Sequence, residues 1–555
     1  MKSCLTFTLL MLFCRFASAQ NLYLNCTAKN TTEKSIIDSI GYKTNHKDLK
    51  SLFEETKLLS EKIIQAGYLE NQINNNQKIN DSTYNFVYLL GKKTAALYLY
   101  IEPNSKLKLL GIIEANKDTL KLPFYGVESF LKNTLAKLGS LGYPLSKVQI
   151  KDLEHKKQKL FARLYVELNQ KRILNDIVIK GYEKFPLGHK KNMLRKYKNN
   201  PFSPEITQSI QQDFEKFNFV FQTKPPEILF TKDTTKIYVY LEKSKPNKFD
   251  GFIGFSNDKK NNLSFKGYLD LLLINALNSG ETFSLYWKSD GDNQKTFNIE
   301  TEFPYVFKSK FGIKASLNIF KKDSLFQNTK TALNLGYFFN YNSRLYIGYQ
   351  ATESSDIQNT NSTFISDYKN KFITADFEFK ATRNDDYLFP EKTKLVAKLG
   401  FGTRNSNLSQ NQQLFFNLEW SHIVFLNQKN NINIKSHNYY LQSNQYIVNE
   451  LFRFGGIRSI RGFNENSLQG NVFSSILTEY RYVIAPNLYV HSITDYGYFK
   501  DTLAKENNSL LGIGFGFGLL TKNGFLNILY ANGSTKNQPI QFSSSLIHLS
   551  FRTNF

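Results

Sequence analysis

The sequence predicts small α+β modules followed by an all-β transmembrane barrel of 16 antiparallel strands, and three observations carry that reading. Mean hydropathy is low, −0.39, while aromatic residues reach 15%, with 32 Tyr and 48 Phe beside 2 Trp and 3 Met. Such a chain suits strands with one apolar and one polar face. From about Phe249 to Phe555 the apolar pattern has period two, with no convincing amphipathic helix. Residues 20–245 instead alternate helical spacing with short strand-like runs. At 555 residues the chain exceeds one ordinary core. Its 41% hydrophobic and 21% charged content excludes the disordered and collagen-like classes.

Residues 1–19 read as a secretory signal. Lys2 gives the charged start, residues 5–13 the apolar stretch, and Ala17-Ser18-Ala19 the small-residue site before Gln20. The apolar stretch is too short to serve as a bilayer-spanning helix. Cys4 and Cys14 leave with it, so the mature chain keeps Cys26 alone and forms no internal disulfide. Cys14 lacks the small preceding residue expected of a lipidated cysteine.

Three segments of residues 20–245 repeat one unit: a helix with apolar residues at i, i+3 and i+4, a break, then a strand. The helices are read at residues 58–66, 130–141 and 206–217. Gly67-Tyr68 and Gly142-Tyr143 follow the first two, and Asn218-Phe219 the third. Glycine there accepts the left-handed backbone that ends a helix. Closing strands are read at residues 95–101, 160–168 and 236–241. The modules are expected at residues 20–104, 105–171 and 172–245.

Residues 246–555 hold 16 strand-like runs, about 19 residues per strand and turn, which matches membrane barrel strands of about 10 residues. Leu511, Ile513, Phe515, Phe517 and Leu519 alternate with Gly512, Gly514, Gly516 and Gly518. In the last strand Ile547, Leu549, Phe551 and Phe555 alternate with His548, Ser550, Arg552 and Asn554. One face suits lipid and the other a wet lumen, and no edge can stay unpaired in hydrocarbon, so the sheet must close. Short turns such as Ala485-Pro486, Lys522-Asn523 and residues 427–429 are expected on the module side. Longer loops such as 353–368 and 500–509 are expected opposite.

The longest connection, residues 442–471, joins the eleventh and twelfth strands. Its centre reads Phe-Arg-Phe-Gly-Gly-Ile-Arg-Ser-Ile-Arg-Gly-Phe over residues 452–463. An arginine between an aliphatic residue and Gly-aromatic is an odd tip for a solvated loop. The expectation is that the loop folds inward and Arg461 meets a carboxylate inside the barrel, since a guanidinium there needs a paired acceptor. Glu479 and Arg481 share one face of the next strand. Asp495 and Gly497 share a face of the one after. A carboxylate in a membrane strand faces the lumen, because lipid penalises it.

The pattern Gly455-Gly456-x-x-Ser459-x-Arg461-Gly462-Phe463, then Glu479-x-Arg481, then Asp495-x-Gly497, resembles the BamA/TamA surface-antigen family. That resemblance implies POTRA modules in the periplasm ahead of a 16-stranded barrel in the cell outer membrane. It also implies that Arg461 is held by Asp495, with Glu479 as a further acceptor. Residues 175–181 are similar to the opening strand and glycine of a POTRA module, and Phe555 to the terminal signal for barrel insertion. Three modules resemble TamA in layout more than BamA. The implied function is an assembly or translocation factor that inserts or translocates client proteins through a laterally opening barrel. The seam would join residues 249–256 to 546–555, and Gly251 and Gly254 weaken its first strand. The rival is a two-partner-secretion pore exporting one dedicated passenger, whose relatives carry two modules and a plug helix. A passive-diffusion barrel accounts for neither the loop motif nor the modules.

No metal-ligand spacing occurs among the seven histidines, Ser459 has no credible His/Asp neighbours in sequence, and the glycine run lacks a following helix or Lys-Ser/Thr. No enzyme activity, metal or cofactor is expected. Net charge is +24; residues 20–245 carry 37 basic against 23 acidic side chains, and residues 246–555 carry 32 against 24. The basic arm can meet anionic headgroups or acidic segments. Expected partners are unfolded outer-membrane or secreted clients, an inner-membrane-anchored periplasmic protein, and the lipid and lipopolysaccharide of the outer membrane, with no nucleic acid. The mature protein is predicted to start at Gln20 and to fractionate with outer membrane as a heat-modifiable band. N-terminal sequencing that recovers Met1, or a soluble product, refutes this.

Overall fold

The computed structural model describes residues 21–555 except 157–158, 258–262, 291–293, 360, 363, 384–385, 408, 542 and 544. The predicted cleavage site Ala19–Gln20 lies outside the described residues. The chain forms two compact units: residues through Ile173 with Asn200–Glu205, and Leu174–Asn199 with Ile206–Phe555.

The first unit holds two modules built on one plan. Strand Leu22–Ala28 runs parallel to Thr83–Leu89, and Gln72–Lys78 hairpins onto the latter. A parallel pair needs a long crossover, supplied here by helices Thr31–Ile40 and Leu49–Gln65. Each helix starts at a side-chain cap: Asn30 Oδ1 accepts from the Glu33 amide and Asp48 Oδ1 from the Ser51 amide, both at 2.7 Å. Their apolar faces bury Ile37, Leu52, Leu59 and Ile63 against Leu24, Cys26, Phe86 and Tyr88. Burial pushes the Cys26 thiol up to about 12, so it is inert. In the second module Ala96–Tyr100 runs parallel to Lys159–Glu167, with helix Val127–Ser140 in the crossover and Lys147–Lys156 in the hairpin. Gly67 and Gly142 have φ of +103° and +95°, as the helix-ending role requires.

The second unit repeats the plan once. Asp176–Lys180 pairs parallel with Thr235–Lys243 across helices Leu187–Tyr197 and Pro204–Glu215, with Val220–Phe230 outside. One boundary differs from expectation. Residues 96–100 open the second module rather than closing the first, so the division at 104/105 falls too late. Alternation is the same for an opening and a closing strand; only pairing with the distant strand Lys159–Glu167 separates them.

From Lys248 to Asn554, 16 strands pair in chain order into a closed antiparallel barrel. Asn334, Gln350, Asp376 and Asn433 are buried inward, while Leu335, Ile347, Ile373 and Phe401 are exposed outward. That is the outer-membrane pattern. Loop lengths differ from expectation: residues 500–509 are mostly strand, leaving only 502–505 as the turn between Leu488–Asp501 and Glu506–Thr521. On the module side, 275–281, 304–310 and 383–390 are the longer connections. The first two of these, and the short turn 341–342, carry contacts to the third module. Asn275 Nδ2 donates to Tyr182 Oη and Tyr182 Oη to Asn278 Oδ1, each at 2.9 Å. Asn192 Nδ2 donates to the Ser309 carbonyl at 2.8 Å, and Tyr341 Oη to Asn218 Oδ1 at 2.9 Å.

His189 sits at the centre of this joint, fully buried, its ring 4.8 Å from that of Tyr305 and 5.3 Å from that of Phe217. A Cβ at Gly280 would overlap the imidazole. Neither ring nitrogen has a hydrogen-bond partner among the described residues. Burial, helped by the Arg344 guanidinium, pushes the imidazole down to about 3. An opened joint would restore its ordinary value near 6.5. The closed joint therefore keeps its full stability above pH 6.5 and loses it as pH falls toward 3, by at most about 1.4 kcal/mol per pH unit. Amide exchange in helix Leu187–Tyr197, corrected for intrinsic rate, should show this acid loss in the native protein and not in His189→Phe.

Candidate functional site

The connection after the eleventh strand (Asn430–Ser443) turns into the barrel. A 3-10 turn, Val448–Glu450, leads to a two-strand ribbon of Phe452–Phe454 against Leu468–Gly470, and the motif forms its tip. Gly455, Gly456 and Gly462 have φ of +107°, +93° and +87°, so the tip takes a path closed to other residues. Ile460 is fully buried and packs with Phe454, Phe473, Leu477, Phe499 and Leu510, drawing the tip against strands twelve to fourteen; Phe463 joins from the rim.

Arg461 completes the insertion. Its Nε donates to Asp495 Oδ2 at 2.8 Å, its Nη2 to Asp495 Oδ1 at 2.5 Å, and its backbone amide to Oδ2 at 3.0 Å. Nη1 donates to Glu479 Oε1. The other Glu479 oxygen accepts from Arg481 Nε at 2.8 Å and Nη2 at 2.5 Å, and from Asn433 Nδ2 at 3.2 Å. Arg481 in turn lies 4.8 Å over the Phe389 ring. Asp495 is 0% exposed and Arg461 4%. The result is a row of alternating charge, Asp495–Arg461–Glu479–Arg481, in which each buried ion faces an opposite one. The bidentate Arg461–Asp495 geometry fixes orientation as well as position.

Glycines on the wall make room for this tip. A Cβ at Gly512 would overlap the Arg461 carbonyl, one at Gly533 would lie 2.5 Å from the Gly462 carbonyl, and one at Gly497 would lie 2.8 Å from Ile460 Cδ1. Ser459 is buried too, its hydroxyl without a partner among the described residues. Phe555 is half exposed at the barrel end, its amide donating to the Asn247 carbonyl at 3.1 Å.

No protein-family model and no curated protein matches the sequence. Solved structures do match in fold. CdiB from Acinetobacter baumannii aligns with a TM-score of 0.51 at 12% identity, covering 94% of this chain and 99% of that one. BamA from Haemophilus ducreyi lacking POTRA domains 1–3 aligns at 0.50 and 14%, covering 83% and 100%. CdiB from Escherichia coli aligns at 0.50 and 11%, covering 90% and 97%. This is a POTRA-plus-barrel fold.

Within the POTRA-plus-barrel fold, every residue of the motif that sequence pointed to lies in or against the lumen, and Arg461 meets both predicted acids. Sequence reasoning missed the loop's other anchors. Glu450 pairs with Arg404, both almost fully buried, and accepts from Gln413 Nε2 at 2.8 Å. Asn449 Nδ2 donates to Ser354 Oγ at 2.7 Å and to the Ser366 carbonyl at 2.8 Å. On the far side Arg458 Nη2 donates to Asp270 Oδ2 at 2.5 Å, and Glu465 accepts from Lys288. The only available signal was that Glu450, Arg458 and Glu465 are charged residues within the loop; their partners lie on strands remote in sequence.

Arg461→Ala and Asp495→Ala should produce similar losses of barrel stability, about 3–5 kcal/mol each, because each strands a buried charge. The double variant should lose clearly less than the sum. Gly512→Leu should reproduce the defect with both charges present. Thermal unfolding followed by heat-modifiable migration checks all four; strict additivity refutes the coupling.

Proposed function

We propose that the chain is an outer-membrane protein translocase or insertase, whose clients enter the lipid where the barrel's first and last strands meet. One observation carries this reading: the seam is paired at one end only. Lys248, Phe249 and Asp250 face Asn554, Thr553 and Arg552, and the ladder stops there among the described residues. The first strand, Lys248–Asn257, pairs with its other neighbour along its whole length, down to Asn257 opposite Leu263. The seam thus falls short of the expected span of residues 249–256. Backbone groups left unpaired in hydrocarbon cost several kcal/mol each, so this edge is primed to accept another strand.

The loop supports the same reading. Arg461 and Ile460 hold it to strands twelve to fourteen, while Arg458 and Glu465 hold it to strands two and three, so it straps the two sides of the seam together from inside. The modules supply a second kind of edge. Gln72–Lys78 lies at the margin of its sheet with every side chain exposed, a site where an unfolded client can add a strand. The alternative, a two-partner-secretion-type pore exporting one dedicated passenger through the lumen, would require the loop to leave the lumen while the seam stays shut.

A disulfide across the seam separates the two. Phe249→Cys with Thr553→Cys, oxidised, should abolish client insertion and recover on reduction, read as the β-barrel content of outer membranes in cells relying on the variant. The buried thiol of Cys26 does not compete. Undiminished activity with the seam bonded overturns lateral insertion and favours passage through the lumen.

A further inference from the structure

The joint between the third module and the barrel holds a partly open cavity of about 130 Å³. Asn192, Arg195 and Lys310 form its polar wall, and Phe217, Tyr305 and Phe339 its apolar floor. Its one carboxylate, Asp213, is already engaged: Lys196 and Tyr197 donate to it at 2.5 Å and Lys216 at 2.6 Å. The other two cations are not. Arg195 donates to Asn192 Oδ1 at 2.9 Å and to the Lys308 carbonyl at 3.5 Å, and Lys310 lies 5.9 Å from the Tyr337 ring. Neither meets a carboxylate among the described residues. Cations gathered around an open cavity and left without counter-ions select an anion.

The surroundings say which anion. Beside Lys310, at the module-side end of strands five and six, Phe311, Tyr337 and Phe339 form a continuous ring cluster, with centroids 5.6 and 5.3 Å apart. Phe311 is 48% exposed and Phe339 56%. On the adjoining turn Phe307 is 98% exposed at φ +52°, a backbone conformation that costs an aromatic residue energy. Exposed aromatics at strand ends mark the membrane–water interface, and cations just beyond them lie at the level of lipid phosphates.

We propose that this joint binds an anionic phospholipid of the module-side leaflet, its phosphate against Arg195 and Lys310 and its chains along Phe311, Tyr337 and Phe339. The lipid bridges helix Leu187–Tyr197 to the barrel turn and holds the third module to the bilayer. The inference rests on the membrane reading of the barrel but not on how clients pass.

The test uses the full mature chain in nanodiscs of phosphatidylcholine with phosphatidylglycerol, with insertion verified by heat-modifiable migration. Native mass spectrometry should find phosphatidylglycerol retained several-fold over its share of the bilayer. Arg195→Gln with Lys310→Gln should abolish that enrichment, while Lys47→Gln with Lys50→Gln in the first module should not. Phe307→Trp should emit at short wavelength and be quenched by brominated lipid. Equal retention in the two double variants, an unquenched water-exposed tryptophan, or displacement of the lipid by inorganic phosphate alone overturns the site. A chain that never enters the bilayer overturns this inference and the membrane reading together; an inserted barrel without enrichment overturns only the site.

Discussion

A guanidinium withdrawn from water must find its counter-charges, and the second half of this molecule is organised around where Arg461 finds them. The loop that carries it enters the lumen through left-handed glycines, buries Ile460, and delivers the charge to Asp495 and Glu479. Removing water from four ions costs more than their attraction returns unless each is closely paired. The alternation Asp495–Arg461–Glu479–Arg481 meets that condition. The glycine run of strand fourteen follows from the same demand, because a side chain at Gly512 would occupy the space of the Arg461 backbone. What reads in sequence as a plain lumen-facing face is a seat for the loop.

The strap and the seam are two sides of one balance. A closed barrel normally has no weak junction, since every strand gains a full ladder from both neighbours. Here, among the described residues, the junction between first and last strands is paired at its module-side end alone. Part of the work of closure passes to side chains crossing the lumen, at Arg458–Asp270 and Glu465–Lys288. Arg458–Asp270 is partly exposed, with side chains 58% and 32% accessible, and pairs of that kind contribute little each. The pairs to the C-terminal strands are buried more deeply than either pair to the N-terminal ones, so the loop is held more firmly on the C-terminal side, an asymmetry that suits the lateral opening proposed above.

Much of this is legible in the amino-acid sequence. Period-two alternation in strands such as Glu506–Thr521 fixes which residues face lipid, and charge cannot face lipid, so Glu479 and Asp495 had to turn inward. Arg461 was readable because a cation between apolar residues and glycine has no reason to stay in solvent. Register and partner choice were not legible. Whether residues 96–100 end one module or begin the next depends on a parallel partner beyond a helical crossover, which local pattern does not encode. The anchors at Glu450, Arg458 and Glu465 depend on distances across the lumen, and those exist only once the barrel has closed. The joint around His189 escaped for the same reason: Gly280, Tyr305 and Tyr341 lie on three separate turns, and only closure brings them onto one helix.

That joint also holds one side of the seam more firmly than the other. The third module grips the turns that follow strands two, four and six, through Asn275, Ser309 and Tyr341. The chain passes from it into strand one through Asn247, whose Oδ1 accepts from the Ile274 amide of strand two at 3.0 Å and whose carbonyl accepts from the Phe555 amide at 3.1 Å. No described residue of the third module is hydrogen-bonded to strand sixteen. Among the described residues the first strands are therefore clamped from below, while the last strand is held by strand fifteen, the short seam and the Phe555–Asn247 hydrogen bond beside it. In the lateral opening proposed above, the cheaper displacement is that of the C-terminal strands away from a fixed N-terminal edge. The edge that this proposal offers to a client strand is Lys248–Asn257, which above Asp250 has no ladder partner on that side among the described residues.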